Sequence, residues 1–404
     1  MNRASSALIG ASIFLLMMMS ALQIVAQPLP FARPEEVGMS SQQLHRVATA
    51  IQAAIDNKEF PGATIIVGRK GKLVMRAAFG QAQWVPEQRP MSMDMIFDLA
   101  SITKPVATAT SIMILIEQGR IRLWDKVKDF VPNFVPYFDE TGNPAEDARI
   151  WHLLTHTSGL PPYTNAKEIE LKYGVPCPMD SLMNYIAQLK KTDPPGTAFH
   201  YSCLGFITLA YIIHRVTGQT VAEFSEQHIF KPLKMNHTFY CPADQFRERC
   251  VPTEVIDGHP LIGIVHDPLA RVQGGISGNA GLFSTADDLA IFAQMMLNKG
   301  EFKGVRILSP LAVERMTEVF EKALFAGRGL GWDLNSDYST NGGDLFGSHS
   351  YGHTGYTGTS LWIDPETETF IVFLTNRVHP FDKGSIISLR SKVANIVASS
   401  IMKK

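Results

Sequence analysis

Apolar residues recur at helical spacing in several parts of the chain. SSQQLHRVATAIQAAIDNK (40–58) places them on one face and carries a serine near its start, which predicts an amphipathic helix. LGFITLAYIIHRVTG (204–218) predicts a second helix, and VAEFSEQHIF begins a third. In STADDLAIFAQMMLNKG (284–300), Thr285 stands three positions before Asp288, an arrangement that satisfies free amides at a helix start.

Shorter apolar runs bounded by turn residues predict strands. GATIIVGRKGKLVMRAAFG (62–80) contains two strands joined by a tight turn at Lys70–Gly71. GTSLWIDP and ETFIVFLTN are two more, separated by the acidic turn Pro365–Glu368. KGSIISLRSKVANIVASSIMKK (383–404) then closes the chain as an amphipathic helix.

The order of these elements is helix, hairpin, helical middle, hairpin and helix. It predicts an α+β architecture in which a sheet lobe takes residues from both ends of the chain, about 35–100 and 250–404. A helical lobe, about 101–249, is inserted between them. The cleft between two such lobes is the natural place for a functional site.

The N-terminal segment differs from the rest of the chain. Arg3 precedes a continuous apolar run at residues 7–26, which the Pro-rich QPLPFARP follows. This pattern predicts an export signal at residues 1–26, cleaved near Ala26, followed by a catalytic domain at 27–404. The alternative is an uncleaved anchor, because the run has the length of a membrane span. In both cases the remainder lies outside the cytoplasm, as a periplasmic or secreted domain.

Charge and composition exclude several classes of function. The chain has 404 residues, 45% of them hydrophobic, and a formal net charge of -1 without a long Lys/Arg cluster. Nucleic acids and anionic membrane surfaces therefore find no basic patch to bind. Neither CxxC nor HExxH is present and the 12 histidines are scattered, which argues against a zinc site. An exported chain can oxidise its cysteines, and the first pair to consider is Cys241–Cys250; the others are Cys177 and Cys203.

One charged residue stands out in FDLASITKPVATATSIMILI (97–116). Between Leu99 and Ile116 the only charge is Lys104, three positions after Ser101, and Pro105 places a helix start close by. A helix start offers free amides, and residues three apart share one face. Burial among apolar neighbours favours a neutral amine that can accept the serine proton. Ser-x-x-Lys alone is a weak motif, since a lysine can also extend to solvent.

Two further motifs strengthen this interpretation. HYSCLGF places Tyr201 just before a predicted helix, and YGHTGYTGTSLWIDP places His353 before a strand. Ser-x-x-Lys, Tyr-x-Asn and Lys-Thr-Gly or His-Thr-Gly occur in this order in the serine β-lactamase and penicillin-binding superfamily, which the chain resembles from about Glu35 to its C-terminus. That superfamily includes D-alanyl-D-alanine carboxypeptidases, D-aminopeptidases and β-lactamase-like esterases. LLTHTSGLP, GNAGLFSTADDLAIFAQMMLNKG, GLGW and FLTNRVHP are similar to its secondary signatures.

The resemblance implies a set of roles. Ser101 is the nucleophile, Lys104 accepts its proton, and Tyr201 shares or relays that proton. The backbone N–H groups of Ser101 and Tyr356 form the oxyanion hole. His353, Thr354 and Gly355 face the polar or anionic end of the substrate. The chemistry requires no metal and no organic cofactor.

Two secondary motifs contribute a candidate pocket residue and a structural residue. Trp332 in GLGW is a candidate wall of the substrate pocket, although an aromatic residue beside glycines is equally typical of packing. His156 in LLTHTSGLP is a structural residue on this resemblance, in a turn that shapes the helical lobe.

The chain departs from the superfamily pattern at two positions. Cys203 stands where the penicillin-recognising members have Asn, and a thiol is a poor hydrogen-bond partner for a substrate amide. We expect this thiol to be inert. His353 replaces a lysine, so its hold on a carboxylate should be weaker and dependent on pH. Both changes argue against an efficient β-lactamase.

The favoured function is an exported serine hydrolase acting through an acyl-enzyme on a small-molecule or peptide substrate, as an esterase or a D-Ala-type peptidase. The alternative within the superfamily is a class C-type β-lactamase, and the alternative outside enzymology is a catalytically idle scaffold of the same fold. An α/β-hydrolase is excluded because no serine has glycine at both −2 and +2.

Overall fold

The computed structural model describes residues 29–403. The predicted export signal or anchor at residues 1–26 lies outside the described part. Within residues 29–403, no helix combines the length and the hydrophobicity that crossing a bilayer requires.

The strands of the described chain are mostly short, with a few long ones near its two ends. In chain order they are β1 (Gly62–Arg69), β2 (Lys72–Gln83), β3 (Arg89–Pro90), β4 (Phe97–Asp98), β5 (Phe239–Tyr240), β6 (Val255–Ile256), β7 (His259–Pro260), β8 (Leu282–Ser284), β9 (Glu301–Phe302), β10 (Val305–Arg306), β11 (Tyr351–Thr354), β12 (Thr359–Asp364) and β13 (Thr369–Thr375).

Helices occupy both ends and the middle of the described chain. They are α1 (Ser41–Asp56), α2 (Thr110–Glu117), α3 (Val127–Phe130), α4 (Ile150–Leu154), α5 (Ala166–Tyr173), α6 (Met179–Gln188), α7 (Cys203–Thr217), α8 (Val221–Ser225), α9 (Lys231–Leu233), α10 (Pro268–Val272), α11 (Ala286–Leu297), α12 (Pro310–Met316) and α13 (Ile387–Ser399). The 3₁₀ turns are Pro34–Val37, Ala100–Ile102, Asp244–Arg249, Glu321–Ala326 and Ser339–Gly342, and the π turns are Lys104–Ala109 and Glu226–Phe230.

The main sheet is built from both ends of the chain, as the element order predicts. Its six strands lie in the order β11-β12-β13-β1-β2-β3, and all neighbouring pairs are antiparallel. Every residue of β1 and β13 is buried, because helices cover both faces of the sheet. Ile65 packs in the core that contains α1 and α13, whereas Ile66 packs in the larger core on the opposite face.

A buried arginine joins the two ends of the described chain. The Arg69 guanidinium is fully buried, and Nη1 donates to the carbonyl oxygen of Val37 at 2.6 Å. Nη2 donates to the carbonyl oxygen of Lys403 at 2.6 Å, and Nε to that of Thr367 at 3.1 Å. A buried charge is tolerated here because it has several hydrogen-bond acceptors.

The helix after Ser101 is less regular than the apolar run predicts. A 3₁₀ turn is followed by the π turn Lys104–Ala109, and the regular helix α2 begins only at Thr110. Pro105 has no amide hydrogen, and its carbonyl oxygen accepts a hydrogen bond from Thr110 Oγ1 at 2.8 Å. π turns of this kind are frequent at functional sites.

Two local predictions need correction. Thr285 Oγ1 caps α11 by accepting from the Asp288 amide at 3.2 Å, but the Asp288 carboxylate accepts from the His237 amide and from Thr238 Oγ1 instead of returning to Thr285. The Cys241–Cys250 disulfide is absent, since all four cysteines are free thiols and Cys241 Sγ lies 3.3 Å from the carbonyl oxygen of Gly274.

Candidate active site

Ser101 lies in a tight turn directly after β4. Ala100 has a φ of 46°, in the left-handed region that disfavours an alanine by about 1 kcal/mol. The buried Asp98 carboxylate stabilises this turn, because Oδ1 accepts from the Ala100 amide at 2.9 Å and Oδ2 from the His266 amide at 2.7 Å. The turn therefore holds Ser101 in one orientation through a side chain two residues before Ala100.

Lys104 meets Ser101, as the spacing predicts. Its fully buried Nζ donates to Ser101 Oγ at 2.9 Å and to the carbonyl oxygen of Asn279 at 2.9 Å. Cys203 Sγ is a third neighbour at 3.6 Å. Among the described residues no carboxylate lies within hydrogen-bond reach of this amine, and its hydroxyl partners are those of Ser101 and Tyr201.

The pKa of Lys104 reflects opposing influences. Burial is the largest and lowers the pKa, whereas the ionised forms of Cys203 and Tyr201 raise it, and the net direction is upward. Burial raises the pKa of the Cys203 thiol, so this thiol is uncharged near neutral pH and does not then stabilise an ammonium. The lowering by burial that the sequence predicts therefore operates while the Cys203 thiol stays protonated.

Tyr201 faces the same amine from the end of a different segment. Lys104 Nζ lies 5.0 Å from the centre of its ring, and the phenol contributes to the pKa of Lys104. His156 stacks against this ring with the centres 4.4 Å apart, and His156 Nδ1 accepts from the Ser202 amide at 3.0 Å. His156 thus fixes the position of the Tyr201 ring by stacking against it and by binding the next residue, which agrees with a structural role for LLTHTSGLP.

Two backbone amides are free to stabilise an oxyanion. Among the described residues neither the Ser101 amide nor the Tyr356 amide has a hydrogen-bond acceptor. The segment containing Tyr356 approaches Ser101 closely, since a Cβ on Gly355 would stand 2.3 Å from the carbonyl oxygen of Leu99. Thr359 Oγ1 donates to that same oxygen at 3.0 Å and fixes the approach.

His353 lies on β11 at the edge of the site and is buried. Its Nδ1 is 2.8 Å from the carbonyl oxygen of Thr354, which can only accept, so Nδ1 carries the proton. Nε2 is then a bare acceptor, and it has no hydrogen-bond partner among the described residues. Burial, with help from Arg328 and Lys104, lowers the pKa of His353 well below its ordinary value. The imidazole is neutral at physiological pH and does not titrate there.

These groups open onto one cleft of about 410 Å³. Besides the predicted residues Ser101, Tyr201, His353, Thr354, Gly355 and Tyr356, its lining includes several residues that the sequence did not single out, among them Arg328, Asp333, Tyr338, Arg377 and Arg390.

Two of the predicted site residues have other surroundings. The prediction that Trp332 forms a wall of the pocket is wrong. Its side chain is fully buried, does not line the cleft, and packs against Tyr351 with ring centres 5.1 Å apart. Cys203 begins α7, where its amide donates to the carbonyl oxygen of Pro162 at 2.8 Å and its thiol lies beside Lys104. In the described part of the chain no cluster of three or more metal-binding side chains exists.

Comparison with known proteins agrees with this arrangement. The family model described as Beta-lactamase matches residues 47–394, most of the chain. The chain belongs to the beta-lactamase family. As a member of that family it is a serine hydrolase with the β-lactamase/transpeptidase-like fold, which confirms the superfamily and the fold class predicted from the motifs.

Two relatives and one solved structure show the range of this beta-lactamase family. The N-acetylmuramyl-L-alanine amidase of Bacillus subtilis (strain 168) is 32% identical over 85% of this chain and 83% of its own length. A Salmonella agona (strain SL483) protein provisionally named a D-alanyl-D-alanine carboxypeptidase is 30% identical over 91% and 90%. The structure of EstCE1, a hydrolase with promiscuous acyltransferase activity, superposes with a TM-score of 0.72 at 23% identity, over 88% of this chain and 99% of that one.

Proposed function

We propose that the protein is an exported serine hydrolase that forms an acyl-enzyme on Ser101. One observation carries the proposal: Lys104 Nζ lies 2.9 Å from Ser101 Oγ, beside a cleft at which the backbone amides of Ser101 and Tyr356 have no acceptor among the described residues. These amides can donate to an oxyanion. A hydroxyl, a base and a set of oxyanion donors are together sufficient for acyl transfer.

Acylation follows from this geometry. Ser101 Oγ attacks the carbonyl carbon of the substrate, and its proton passes to neutral Lys104. The amides of Ser101 and Tyr356 donate to the oxyanion that forms. When the tetrahedral intermediate collapses, the proton moves from Lys104, directly or through the Tyr201 phenol, to the leaving nitrogen or oxygen. A water molecule then repeats these steps on the acyl-enzyme, releases the acid and restores the serine.

The substrate class we propose is an ester or a D-amino-acid amide. The amidase and carboxypeptidase names of the sequence relatives support an amide or peptide bond, and the same acyl-enzyme route serves esters. Cys203 and the neutral His353 disfavour efficient hydrolysis of penicillins, because neither supplies the hydrogen bond that an asparagine amide or a lysine ammonium would.

A fluorophosphonate followed by mass spectrometry tests the nucleophile. We expect one adduct on Ser101 and turnover of p-nitrophenyl esters. Lys104→Met should lower kcat by about 10²- to 10⁴-fold, the usual worth of a general base. Ser385→Ala, a change at the cleft lining, is the matched control and should keep the adduct. An adduct that persists in Ser101→Ala, or its absence in the parent chain, would contradict the mechanism and favour an idle scaffold.

Export is a separate part of the proposal and rests on residues 1–26. Fractionation of cells that express the full chain should place it outside the cytoplasm, and N-terminal sequencing should start near Gln27. A full-length chain that partitions with membranes would indicate the uncleaved anchor instead.

A further inference from the structure

The peptide unit between Gly355 and Tyr356 carries one of the two oxyanion donors. Its amide hydrogen belongs to Tyr356 and its carbonyl oxygen to Gly355, so the two groups point in opposite directions across one rigid plane. The amide has no acceptor among the described residues, whereas the carbonyl oxygen accepts from the Gly358 amide at 3.1 Å within the turn. A side chain that holds this carbonyl group therefore acts directly on the oxyanion donor.

A buried arginine of α13 holds this carbonyl group. Arg390 reaches from the helix to the cleft, where Nη2 donates to the carbonyl oxygen of Gly355 at 3.0 Å. The same nitrogen donates to the carbonyl oxygen of Thr359 at 2.9 Å, and that oxygen also accepts from the Gly355 amide at 2.7 Å. One guanidinium nitrogen thus ties together both ends of the turn between β11 and β12.

A second arginine at this turn acts on a different peptide unit. Arg377 Nη2 donates to the carbonyl oxygen of Tyr356 at 2.7 Å, which belongs to the peptide after the oxyanion amide. Arg377 also forms an ion pair with Asp382 at 3.0 Å, which offsets its charge. The partners of Arg390 are all neutral, since Nη1 contacts Asn341 Oδ1 at 3.4 Å and Nη2 contacts the two carbonyl oxygens. The Arg390 charge therefore acts on the turn without a carboxylate to offset it.

The other oxyanion donor has a neutral support. The Ser101 amide shares its peptide unit with the Ala100 carbonyl oxygen, which accepts from the Thr103 amide in the 3₁₀ turn. Successive hydrogen bonds polarise one another, and a bond to a charged group is the stronger kind. The cation at the Gly355 carbonyl oxygen draws electron density toward that oxygen and leaves the Tyr356 amide hydrogen more positive.

We propose that Arg390 is a positioning residue for acyl transfer, which fixes the plane of the Gly355–Tyr356 peptide and strengthens the Tyr356 amide as an oxyanion donor. This inference rests on the proposed function and adds to it a residue that acts through the backbone of the turn. The oxyanion exists in the transition state and the tetrahedral intermediate, and the bound substrate lacks it. The contribution of Arg390 should therefore appear in kcat and leave KM unchanged.

Arg390→Met tests the proposal, because it removes the donors and the charge and keeps an unbranched, adaptable side chain. With the purified full chain and p-nitrophenyl acetate, kcat and kcat/KM should both fall about 10-fold, a part of the 10²- to 10³-fold that loss of a whole oxyanion donor costs. KM should change by less than about twofold, as expected for an interaction made in the transition state. The second-order rate of Ser101 labelling by a fluorophosphonate should fall by the same factor as kcat/KM, because its phosphoryl oxygen uses the same donors.

Three further variants serve as controls. Arg390→Lys keeps a cation with fewer donors, so kcat should recover to within about threefold of the parent value, and this variant carries the test if Arg390→Met does not fold. Lys392→Met makes the same change at an exposed position of α13 and should leave kcat unchanged. Arg69→Met removes another buried arginine that donates to carbonyl oxygens, far along the chain from the turn, and should lower Tm without lowering kcat.

The outcomes separate this inference from the function on which it rests. A parent-like kcat in Arg390→Met, or a higher KM with kcat unchanged, would overturn the positioning role while leaving acyl transfer intact. A kcat in Arg390→Lys as low as that in Arg390→Met would contradict the need for a cation at the Gly355 carbonyl oxygen. Failure of the parent chain to hydrolyse the ester, together with no fluorophosphonate adduct on Ser101, would instead overturn the proposed function.

Discussion

The two sides of the cleft differ in how their polar atoms are used. On the nucleophile side, Lys104 Nζ contacts Ser101 Oγ and a backbone carbonyl oxygen, and the Asp98 carboxylate holds the turn through two amides. On the recognition side, His353 Nε2 and two nitrogens of Arg328 lack partners among the described residues. Both sides are buried, so exposure to solvent does not account for the contrast.

The difference separates preorganisation from recognition. Groups that take part in bond making are oriented in advance by hydrogen bonds within the chain, because their reorganisation during the reaction would be costly. Groups that select the substrate keep unused donors and acceptors, which a ligand with the complementary pattern can satisfy. The amides of Ser101 and Tyr356 lie on the nucleophile side, but like the recognition groups they have no hydrogen-bond acceptor among the described residues. Their acceptor, the oxyanion, exists only during the reaction.

The largest expected effect comes from disturbing the preorganised side. In Gly355→Ala the new Cβ would meet the carbonyl oxygen of Leu99 at 2.3 Å and Thr359 Oγ1 at 2.1 Å, so the Tyr356 amide must move away from Ser101. We expect kcat to fall about 10²-fold, as for loss of one oxyanion donor, with little change in KM. Steady-state kinetics on a neutral p-nitrophenyl ester measures this.

The control for Gly355→Ala is Gly384→Ala, a glycine at the cleft lining whose added Cβ meets nothing closer than 4.0 Å, although its φ of 76° adds some strain. An unchanged kcat in Gly355→Ala would show that the close approach at Leu99 is not needed to place the oxyanion donors.

A smaller effect should follow from adding a recognition group. Cys203→Asn supplies an amide beside Lys104, where the thiol now lies 3.6 Å from Nζ. Acylation by penicillin and turnover of nitrocefin should rise about tenfold, the worth of one hydrogen bond to substrate. Stopped-flow acylation and a nitrocefin assay measure this, with Cys203→Ser as the control that changes the thiol without adding an amide. Unaltered acylation in Cys203→Asn would mean that the missing amide does not limit penicillin recognition.

The smallest expected effect concerns the buried imidazole of His152, in α4. Burial lowers the pKa of His152 to about 3, and its Nδ1 accepts from the Arg149 amide at 2.8 Å. A histidine whose pKa is lowered by folding binds its proton first in the unfolded chain, so stability is full above about pH 6.5 and decreases as the pH falls below it.

Thermal unfolding at pH 7.5 and pH 5 tests this sign. Tm should be lower at pH 5, and the decrease should be smaller in His152→Gln, whose side chain cannot be protonated in this range. His45→Gln, at an exposed helix position, is the control and should show the decrease of the parent chain. A Tm that rises on acidification would contradict a neutral, buried His152.

The sequence predicts well where local patterns determine the structure. The hairpin β1–β2 and the strands β12 and β13 form as their apolar runs indicate, because neighbouring residues set strand and turn. Ser101, Tyr201 and His353 can be singled out in the sequence because each belongs to a short motif, and the structure brings the three motifs to one cleft.

Other features depend on contacts between distant segments. No sequence motif points to Arg328, because its place in the cleft depends on packing against Tyr201, a residue far away in the sequence. Trp332 was misplaced for a similar reason: Gly331 lets the chain approach Ala109, with an added Cβ only 2.5 Å from the Ala109 side chain, and this draws the indole into the core.

The buried Arg69 has a consequence for the connectivity of the molecule. One guanidinium donates hydrogen bonds to the carbonyl oxygens of both Val37 and Lys403, so the first and last segments of the described chain lie side by side. A short peptide could bridge them and make the backbone a closed loop. Cutting that loop at the exposed turn near Gly142 would yield a permuted chain with new ends, in which each strand keeps its present partners.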